Sequence, residues 1–334
     1  MPSFERESKR IVIAGASSLL GADLKGLLEE SKFADWDFRL VDEEEAAGTL
    51  TEAGGEPAVI QPVEEGTFER ARLVFFAGSP EFTRTNLAAA TAARAKVIDL
   101  SGCIVADAAT VAWFPKLDEL LQRQFRGEAA AYAVPSAAAT AASALSLVLQ
   151  PLGLQNLVFL CFQPVSEAGR AGIEELESQT SQLLSFQSVG KPVFDAQVAF
   201  ALLDRFGPAS REDLLSARER IRAEIETCLA GKAGLPALQL IHVPVFYGVT
   251  FAACAHMAPA VNCPRLIQAC NSAGFALIRG DEVLSNISAA GESLIQLAEP
   301  EADPCQVGTW WFWGAADNIR LPAANAVKLA EMLA

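Results

Sequence analysis

Residues that could do chemistry gather first at the turn 132–140, which reads Y-A-V-P-S-A-A-A-T. Pro135 and the small aliphatic residues after it predict a turn that opens a buried helix running to Leu149. A helix start presents free N–H groups and the positive end of a dipole, which lower a thiol pKa and hold an oxyanion. A nucleophile is therefore expected at this turn, but the sequence places Ser136 and Ala137 there.

Two residues could replace the missing nucleophile. Ser136 is the first candidate, but serine needs a histidine or lysine as base, and the sequence offers none nearby, so a helix-capping role is favoured. Cys161 falls in a predicted strand and points to the same face as Gln163. A buried cysteine usually packs as a small hydrophobic residue, and this interpretation is favoured here.

His242 and His256 are the only histidines. They form no H-x-x-x-H pair, and no cysteine pair or carboxylate stands at metal-ligand spacing, so the sequence predicts no metal site. His242 lies at the edge of the predicted pocket. A packed imidazole is favoured for it, although a protonated ring could also bind a carboxylate.

The N-terminal elements follow the order of a dinucleotide-binding fold. A buried-strand pattern at 10–14 precedes the turn 15–21, G-A-S-S-L-L-G, and a helical pattern at 22–31. In this turn Gly15, Ser17, Ser18 and Gly21 are the candidate pyrophosphate contacts, with Ser18 at the middle glycine position of the fingerprint. The order supports the fold more firmly than it supports retained nucleotide binding.

The second strand, at 37–41, ends in the acidic run that begins at Asp42. An acid at this point can bind the ribose hydroxyls of NAD, whereas four acids in a row would repel the 2′-phosphate of NADP. A solvated charged turn is the alternative. Further strands at 73–77 and 96–100 lead to Gly78 and Ser79 and to Ser101, at the strand ends where ligands of parallel sheets bind.

These patterns predict an α/β fold: a Rossmann-type doubly wound parallel sheet plus a second α+β domain for substrate and dimerisation. The predicted domains are 1–133 with 317–334, and 134–316. The second begins with a strand at 157–162 and a helix at 171–184, resumes with a strand at 238–246, and is followed by a helix at 323–334. Alternation in a strand places Trp311 and Trp313 on one face, in a core or a subunit interface.

Composition narrows the class of protein. The chain has 334 residues, 51% of them hydrophobic, and a formal charge of −15, which disfavours nucleic acid and anionic membranes as partners. Its seven cysteines form no C-x-x-C pair, its start has no apolar signal core, and its longest apolar run, 136–149, is shorter than the ~20 residues of a membrane helix. We therefore expect a cytoplasmic protein with reduced thiols.

Several ordered motifs resemble the aspartate-semialdehyde dehydrogenase family over nearly the whole chain. The resemblance is closest to the Usg-type paralogues, a branch lacking the catalytic cysteine. It rests on V-I-D-L-S-G at 97–102, P-S-A at 135–137, F-Q-P-V-S-E-A-G at 162–169, V-P-V-F-Y-G at 243–248 and F-W-G-A-A-D-N-I-R at 312–320. The corresponding motifs of the family are, in the same order, V-I-D-x-S-S, P-N-C, Y-Q-A-V-S-G-A-G, V-P-V-x-x-G and F-W-x-x-S-D-N-L-R.

The resemblance also implies which residues would act. In the family a thiolate attacks the aldehyde, a histidine exchanges protons, NADP accepts hydride, and phosphate releases the acyl group. Four positions that match active-site residues of the family carry a different residue here. Ala137 replaces the cysteine, Val249 the histidine, His242 the substrate-binding arginine and Val105 the phosphate-binding arginine. Gln163 matches the active-site glutamine, Glu219 resembles the acid of the substrate-binding E-x-x-K, and Asn318 joins the predicted cofactor contacts.

These substitutions predict a homodimeric pseudoenzyme with a binding or regulatory role for a small molecule that the sequence does not identify. NAD or NADP is possible by resemblance, with NAD favoured. The alternative is an NAD(P)-dependent oxidoreductase that acts on a different carbonyl substrate without a cysteine nucleophile. A third hypothesis is an interaction subunit that pairs with an active paralogue.

Overall fold

The computed structural model describes residues 9–53 and 55–334. The start of the chain, on which the prediction about a signal sequence rests, lies outside these residues. The chain forms two compact units. The first extends to Phe114 and adds Phe125–Pro135 and Pro322–Ala334, and the second comprises Pro115–Gln124 and Ser136–Leu321. The predicted domain bounds differ from these mainly at 115–124, which packs with the second unit.

The first unit is built on strands and three long helices, the third of which is the last helix of the chain. Its elements are β1 (Arg10–Ala14), α1 (Leu19–Glu29), β2 (Asp37–Asp42), β3 (Leu50–Ala53), β4 (Glu56–Val59), β5 (Gln61–Pro62), β6 (Leu73–Phe76), α2 (Pro80–Ala92), β7 (Lys96–Asp99), β8 (Thr110–Ala112) and β9 (Ala131–Ala133). Seven strands pair in parallel in the order β5-β2-β1-β6-β7-β9-β8, and β3 and β4 form a separate hairpin. The predicted Rossmann-type sheet is confirmed.

Strand β1 shows why the sheet forms. Ile11, Val12 and Ile13 are fully buried, as expected for a parallel strand covered on both faces. Ile11 and Ile13 join one hydrophobic cluster and Val12 joins another, so successive side chains alternate between two packed layers. Helix α1 begins at Leu19, earlier than predicted, because the Ser18 side chain accepts a hydrogen bond from Gly21 N and caps it.

The second unit is a mixed sheet with helices. Its elements are α3 (Leu117–Leu120), α4 (Ala137–Leu149), β10 (Leu154–Gln163), α5 (Gly169–Leu184), α6 (Leu214–Leu229), β11 (Ala237–His242), β12 (Val249–Met257), α7 (Cys263–Ser272), β13 (Ala276–Ile278), α8 (Asn286–Ala289), β14 (Gln296–Ala298), β15 (Glu301–Ala302) and β16 (Thr309–Ala316). The strand order is β11-β10-β12-β16-β14-β13, with β15 beside β16. Strands β10 and β11 are parallel, whereas β12 runs antiparallel to β10 and β16.

Two prolines explain where the predicted bounds differ. Strand β11 ends at His242, before the predicted 246, because Pro244 cannot donate to a sheet ladder. The last helix, α9 (Arg320–Leu333), begins before Pro322. A proline is tolerated there because the first turn of a helix has N–H groups without intrahelical partners.

The central sheet of the second unit has two different faces. On one, Phe159 and Phe251 are fully buried and stack with ring centroids 4.8 Å apart. The other carries Phe162, Trp311 and Trp313, and the two tryptophans are 43% and 39% exposed, on the same face as predicted. Among the described residues no helix is both long and apolar enough to cross a bilayer.

Candidate functional site

The start of α4 is closed by a buried acid. Ser136 is the N-cap, and its hydroxyl accepts from Ala139 N at 3.3 Å. Its Oγ donates to Glu224 Oε2 at 2.5 Å, and its backbone N–H donates to the same oxygen at 3.2 Å. Glu224, on α6, is only 3% exposed, and Ala137 beside it is 2% exposed. A methyl group and a paired carboxylate thus occupy the place where a nucleophile was expected.

Two further positions that differ from the family pattern, Val249 and Val105, carry no proton-exchanging group. Val249 begins β12 and is buried, and Val105 is buried in a turn of the first unit. Cys161 is fully buried in β10, and burial raises the pKa of its thiol far above the ordinary range. Because the thiolate is the reactive form, Cys161 cannot serve as a replacement nucleophile at neutral pH.

Gln163 and His242 meet at the ends of two adjacent parallel strands. They are paired directly in the register of β10 and β11, so both side chains leave the sheet on the same side. Gln163 is 5% exposed and His242 is 1% exposed. Gln163 Oε1 and His242 Nε2 are buried without a hydrogen-bond partner among the residues that the structure describes. Such atoms normally have a partner, so they mark a place for a ligand or a water.

Both side chains line one small cavity, which we call the cleft. It has a volume of about 20 Å³, and its other walls are Pro164, Glu167, Ala168, Phe194, Phe206, Glu212, Asp213, Leu214, Ala217 and Arg220. The His242 ring packs against Phe194 and Phe206, with ring centroids 5.3 and 5.2 Å away, and the two phenyl rings are 4.8 Å from each other. Burial lowers the pKa of His242 to about 4, so the imidazole is neutral at pH 7.

Charged groups are among the residues that line the cleft. Crowding by protein raises the pKa of Glu167, although the residue is exposed on one side, while Arg220 and hydrogen bonds from Asn318 and Gln163 oppose that rise. Desolvation also raises the pKa of Glu212, Arg220 lowers it, and the Glu167 charge adds to the rise. The single guanidinium therefore serves two carboxylates.

Glu219, the acid predicted to remain in the site, is exposed and pairs with Arg222 at 3.1 Å. It does not line the cleft, whereas the next residue, Arg220, does. Sequence reasoning missed both Arg220 and Glu224. The helical spacing held a signal, because Ile221, Glu224 and Cys228 fall on one stripe of α6, and all three are buried.

A buried network holds the loop that carries Phe194. Gln179, on α5, is fully buried and donates to Gly190 O and Ala196 O, both at 3.0 Å. Its Oε1 accepts from Val198 N at 2.8 Å and Ala199 N at 3.1 Å. Glu175, one turn earlier on the helix, accepts from Gln179 Nε2 at 2.9 Å and from the N–H groups of Val193 and Phe194. These bonds fix one wall of the cleft to α5.

The predicted nucleotide contacts of the first unit do come together. A Cβ on Gly15, which has φ +91°, would lie 2.1 Å from Gly78 N, and one on Gly21 would lie 2.2 Å from Gly15 O. The turn is therefore close-packed, and these glycines are required by the backbone itself. The described part of the chain contains no cluster of residues that could hold a metal ion.

Polar groups at these strand ends bond to one another. Ser17 N donates to Asp42 Oδ2 at 2.7 Å, and Ser18 Oγ donates to Ala77 O at 2.8 Å. Asp42 is 6% exposed and also accepts from Glu43 N through Oδ1 at 2.9 Å. Ser79 caps α2 and donates to Glu43 Oε1 at 2.9 Å.

Asn318 belongs to the second unit, where its side chain joins two loops. Its Oδ1 accepts from Gly248 N at 3.0 Å, and its Nδ2 donates to Ser166 Oγ and Glu167 Oε1, both at 3.1 Å. The amide therefore connects the loop before β12 with the segment after β10. Its predicted role as a cofactor contact stays a prediction.

The glycine turn fits an adenine dinucleotide in two respects. The start of α1 offers N–H groups to a pyrophosphate, and the carboxylate oxygens of Asp42 keep lone pairs free for ribose hydroxyls. Ser18 has a side chain where the fingerprint has a glycine, but its hydroxyl is turned toward Ala77 O.

Comparisons with known proteins agree with this architecture. The family model described as the semialdehyde dehydrogenase NAD-binding domain matches residues 10–142. A USG-1 protein homolog of Pseudomonas aeruginosa is 29% identical, and an aspartate-semialdehyde dehydrogenase of Rickettsia bellii is 24% identical, each match covering 97% of both chains. Over nearly its whole length the chain is similar to USG-1 protein homologs and to aspartate-semialdehyde dehydrogenases.

Solved structures of this family extend the likeness to the whole fold. A probable aspartate-semialdehyde dehydrogenase from Pseudomonas aeruginosa superposes with a TM-score of 0.85 at 27% identity, covering 97% of this chain and 98% of that one. Aspartate semialdehyde dehydrogenase II from Vibrio cholerae gives the same TM-score at 23% identity, which supports the fold alone. The family resemblance and the predicted two-part architecture are both confirmed.

Proposed function

We propose that this relative of the aspartate-semialdehyde dehydrogenases does not carry out phosphorylating dehydrogenation and instead binds a small polar molecule in the cleft. The observation that carries the proposal is the contrast between Ala137, a buried methyl group beside the paired Ser136 and Glu224, and the two unpartnered atoms of Gln163 and His242.

The covalent reaction needs groups that these positions do not supply. A methyl group at 137 cannot form a thioester, and Val249 cannot move a proton. Ser136 cannot take over, because its hydroxyl is held by the Glu224 carboxylate, a far weaker base than the histidine or lysine that activates serine. Loss of a nucleophile alone commonly lowers the rate by a factor on the order of 10⁴ to 10⁶.

The test is a spectrophotometric assay with aspartate semialdehyde, phosphate and either NAD or NADP, with the Vibrio cholerae enzyme as positive control. We expect turnover at least about 10⁴-fold below that control. Turnover within about a hundredfold of the control would exclude the non-catalytic role. The variant Ala137→Cys is expected to stay inactive, because it restores the thiol without the proton-exchanging partner.

An alternative is an oxidoreductase that acts on another carbonyl substrate without a cysteine. The glycine turn and Asp42 favour it, because they fit NAD, the cofactor that would supply hydride transfer. The exposed acids Glu43, Glu44 and Glu45 would repel the additional phosphate of NADP. Calorimetric titration separates the proposals: micromolar binding of NADH but not NADPH would support the alternative, and binding of neither would exclude it.

We also propose a homodimer formed through the open face of the central sheet. Phe162, Trp311 and Trp313 give this face a large apolar area, which monomeric proteins rarely leave in water. Sedimentation velocity at micromolar concentration would test it. Co-isolation with an active paralogue would instead support the interaction-subunit hypothesis, since the same face could pair with a related chain.

A further inference from the structure

We propose that the cleft between Gln163 and His242 binds a primary ammonium group. The inference rests on the proposed binding function and names the class of ligand that the site would take. An arginine at position 242 would select a carboxylate ligand, whereas this chain has a histidine there.

The orientation of Gln163 fixes what its free atom can bind. Its Nε2 donates to the Glu167 carboxylate, which can only accept when ionised, so the amide cannot be flipped without losing this bond. Gln163 Oε1 is therefore the buried atom without a partner, and it is an acceptor. A ligand that meets it must bring an N–H or O–H donor.

His242 adds a second acceptor. Its neutral ring offers Nε2 as an acceptor in the tautomer that carries the proton on Nδ1. Because the two side chains leave adjacent strands on one side, their free atoms can meet one donor group between them. An ammonium group has several N–H donors and can bond to both.

The size of the cleft limits what enters. A volume of about 20 Å³ holds a group of roughly one heavy atom, since about 10 to 15 Å³ on this measure holds one water. A terminal ammonium group fits this space, whereas a carboxylate or phosphate has several heavy atoms and does not. The rest of such a ligand would extend through the mouth past Arg220.

Charge and aromatic rings also favour a cation. The residues that line the cleft include the three carboxyl groups of Glu167, Glu212 and Asp213 against the one guanidinium of Arg220. The Asp213 carboxylate is used by the cap of α6, but its charge remains. Phe194 and Phe206 also line the cleft, and aromatic rings attract cations that lie over their faces.

The experiment uses the full chain and its two histidines. Imidazole ¹⁵N resonances of His242 and His256 are followed during titration with methylammonium chloride, with the exposed His256 as internal reference. We expect saturable shifts of His242 alone, with a dissociation constant on the order of 10 mM for so small a probe. Tetramethylammonium chloride, which has the charge but no N–H donor, and sodium acetate should leave His242 unchanged.

Gln163→Leu should weaken methylammonium binding by about tenfold, because it removes one acceptor. The matched control is Gln155→Leu, an exposed glutamine on the same strand, which should bind as the parent does. An equal response to tetramethylammonium would indicate a general effect of the acidic rim and overturn the proposal. A response to acetate alone would overturn the ligand class and leave a binding role intact.

The absence of any shift would mean that water satisfies both atoms, and it too would overturn the proposal. Dehydrogenase turnover in the assay described above would exclude the non-catalytic role without changing this titration. The two proposals can therefore fail separately.

Discussion

The strand ends of the first unit and the cleft of the second unit use buried polar groups in opposite ways. At the glycine turn the side chains bond to neighbouring protein atoms: Asp42 to Ser17 N, Ser18 to Ala77 O, and Ser79 to Glu43. In the cleft, Gln163 Oε1 and His242 Nε2 are buried with no partner among the described residues. These side chains of the turn are satisfied within the protein, whereas the two atoms of the cleft are not.

This difference separates residues that the backbone needs for its own packing from residues that could bind a ligand. A family motif can persist because the backbone needs it, as at Gly15, where any side chain would strike Gly78. An unsatisfied buried acceptor, in contrast, lowers stability by about 1 to 3 kcal/mol unless something binds it. The cleft is therefore the better guide to what the protein binds. Four predictions test the comparison, from the largest expected effect to the smallest.

Gly15→Ala should have the largest effect, because it breaks the self-contained turn. A Cβ there would lie 2.1 Å from a backbone nitrogen at a positive φ. We expect the free energy of unfolding to fall by about 4 kcal/mol or more in urea titrations. The control is Gly26→Ala in the interior of α1, where a Cβ meets nothing within 4 Å and should stabilise by about 0.5 to 1 kcal/mol. A loss below about 1 kcal/mol for Gly15→Ala would show that the turn around Gly15 has room for a side chain.

Acid should destabilise the cleft through His242. The pKa of His242 is near 4 in the folded protein and near 6.5 in the unfolded chain, so between these values the unfolded state binds the extra proton. The stability that the neutral His242 ring contributes is fully present above pH 6.5. The free energy of unfolding then falls by up to about 3 kcal/mol as the pH drops toward 4. His242→Gln should flatten that slope in urea titrations at several pH values. Parallel slopes for the parent and His242→Gln would contradict it.

Asp42→Asn tests the hydrogen bonds within the glycine turn, and its expected effect on stability is intermediate. The amide keeps one oxygen acceptor for either Ser17 N or Glu43 N and turns an NH2 donor toward the other N–H, so we expect a loss of about 1 to 2 kcal/mol in unfolding free energy. Glu44→Gln, an exposed neighbour, should change stability by less than about 0.5 kcal/mol. Equal stability of the two variants would mean that Asp42 is not needed to hold the turn.

Gln163→Leu should have the smallest effect on stability, although it removes a buried polar residue. The amide oxygen has no partner to lose among the described residues, and the bond from Nε2 reaches an exposed acid that water can solvate. We expect the free energy of unfolding to stay within about 1 kcal/mol of the parent, or to rise. A loss above about 2 kcal/mol would show that the Gln163 oxygen already has a partner in the folded protein.

The sequence predicted the fold well because its signals were local. The buried strand at 10–14, the glycine turn and the helix after it each follow from the chain's own pattern, and the parallel sheet follows from their alternation. The predicted helices and strands differ from the structure mainly at their ends, where single side chains decide. Ser18 started α1 earlier than periodicity indicated, and Pro244 ended β11 sooner.

The site could be predicted only in part, because it is assembled from distant segments. Gln163 and His242 were singled out one by one, but their direct pairing depends on the register of two strands far apart in sequence. Glu219 was predicted from its resemblance to the family's E-x-x-K motif, whereas Glu224 lies on the buried stripe of α6. Phe194 and Phe206 carry no local motif, so nothing in the sequence connected them to His242.

The Glu175 and Gln179 network has a consequence for how a ligand is recognised. The N–H groups of Val193, Val198 and Ala199 bond to side chains of α5, so they are released only when that helix itself opens. Their hydrogen exchange should be as slow as that of the helix. The wall of the cleft that carries Phe194 is therefore ordered before a ligand binds. The conformational entropy of ordering it is lost during folding, so the preformed cleft selects ligands that fit it.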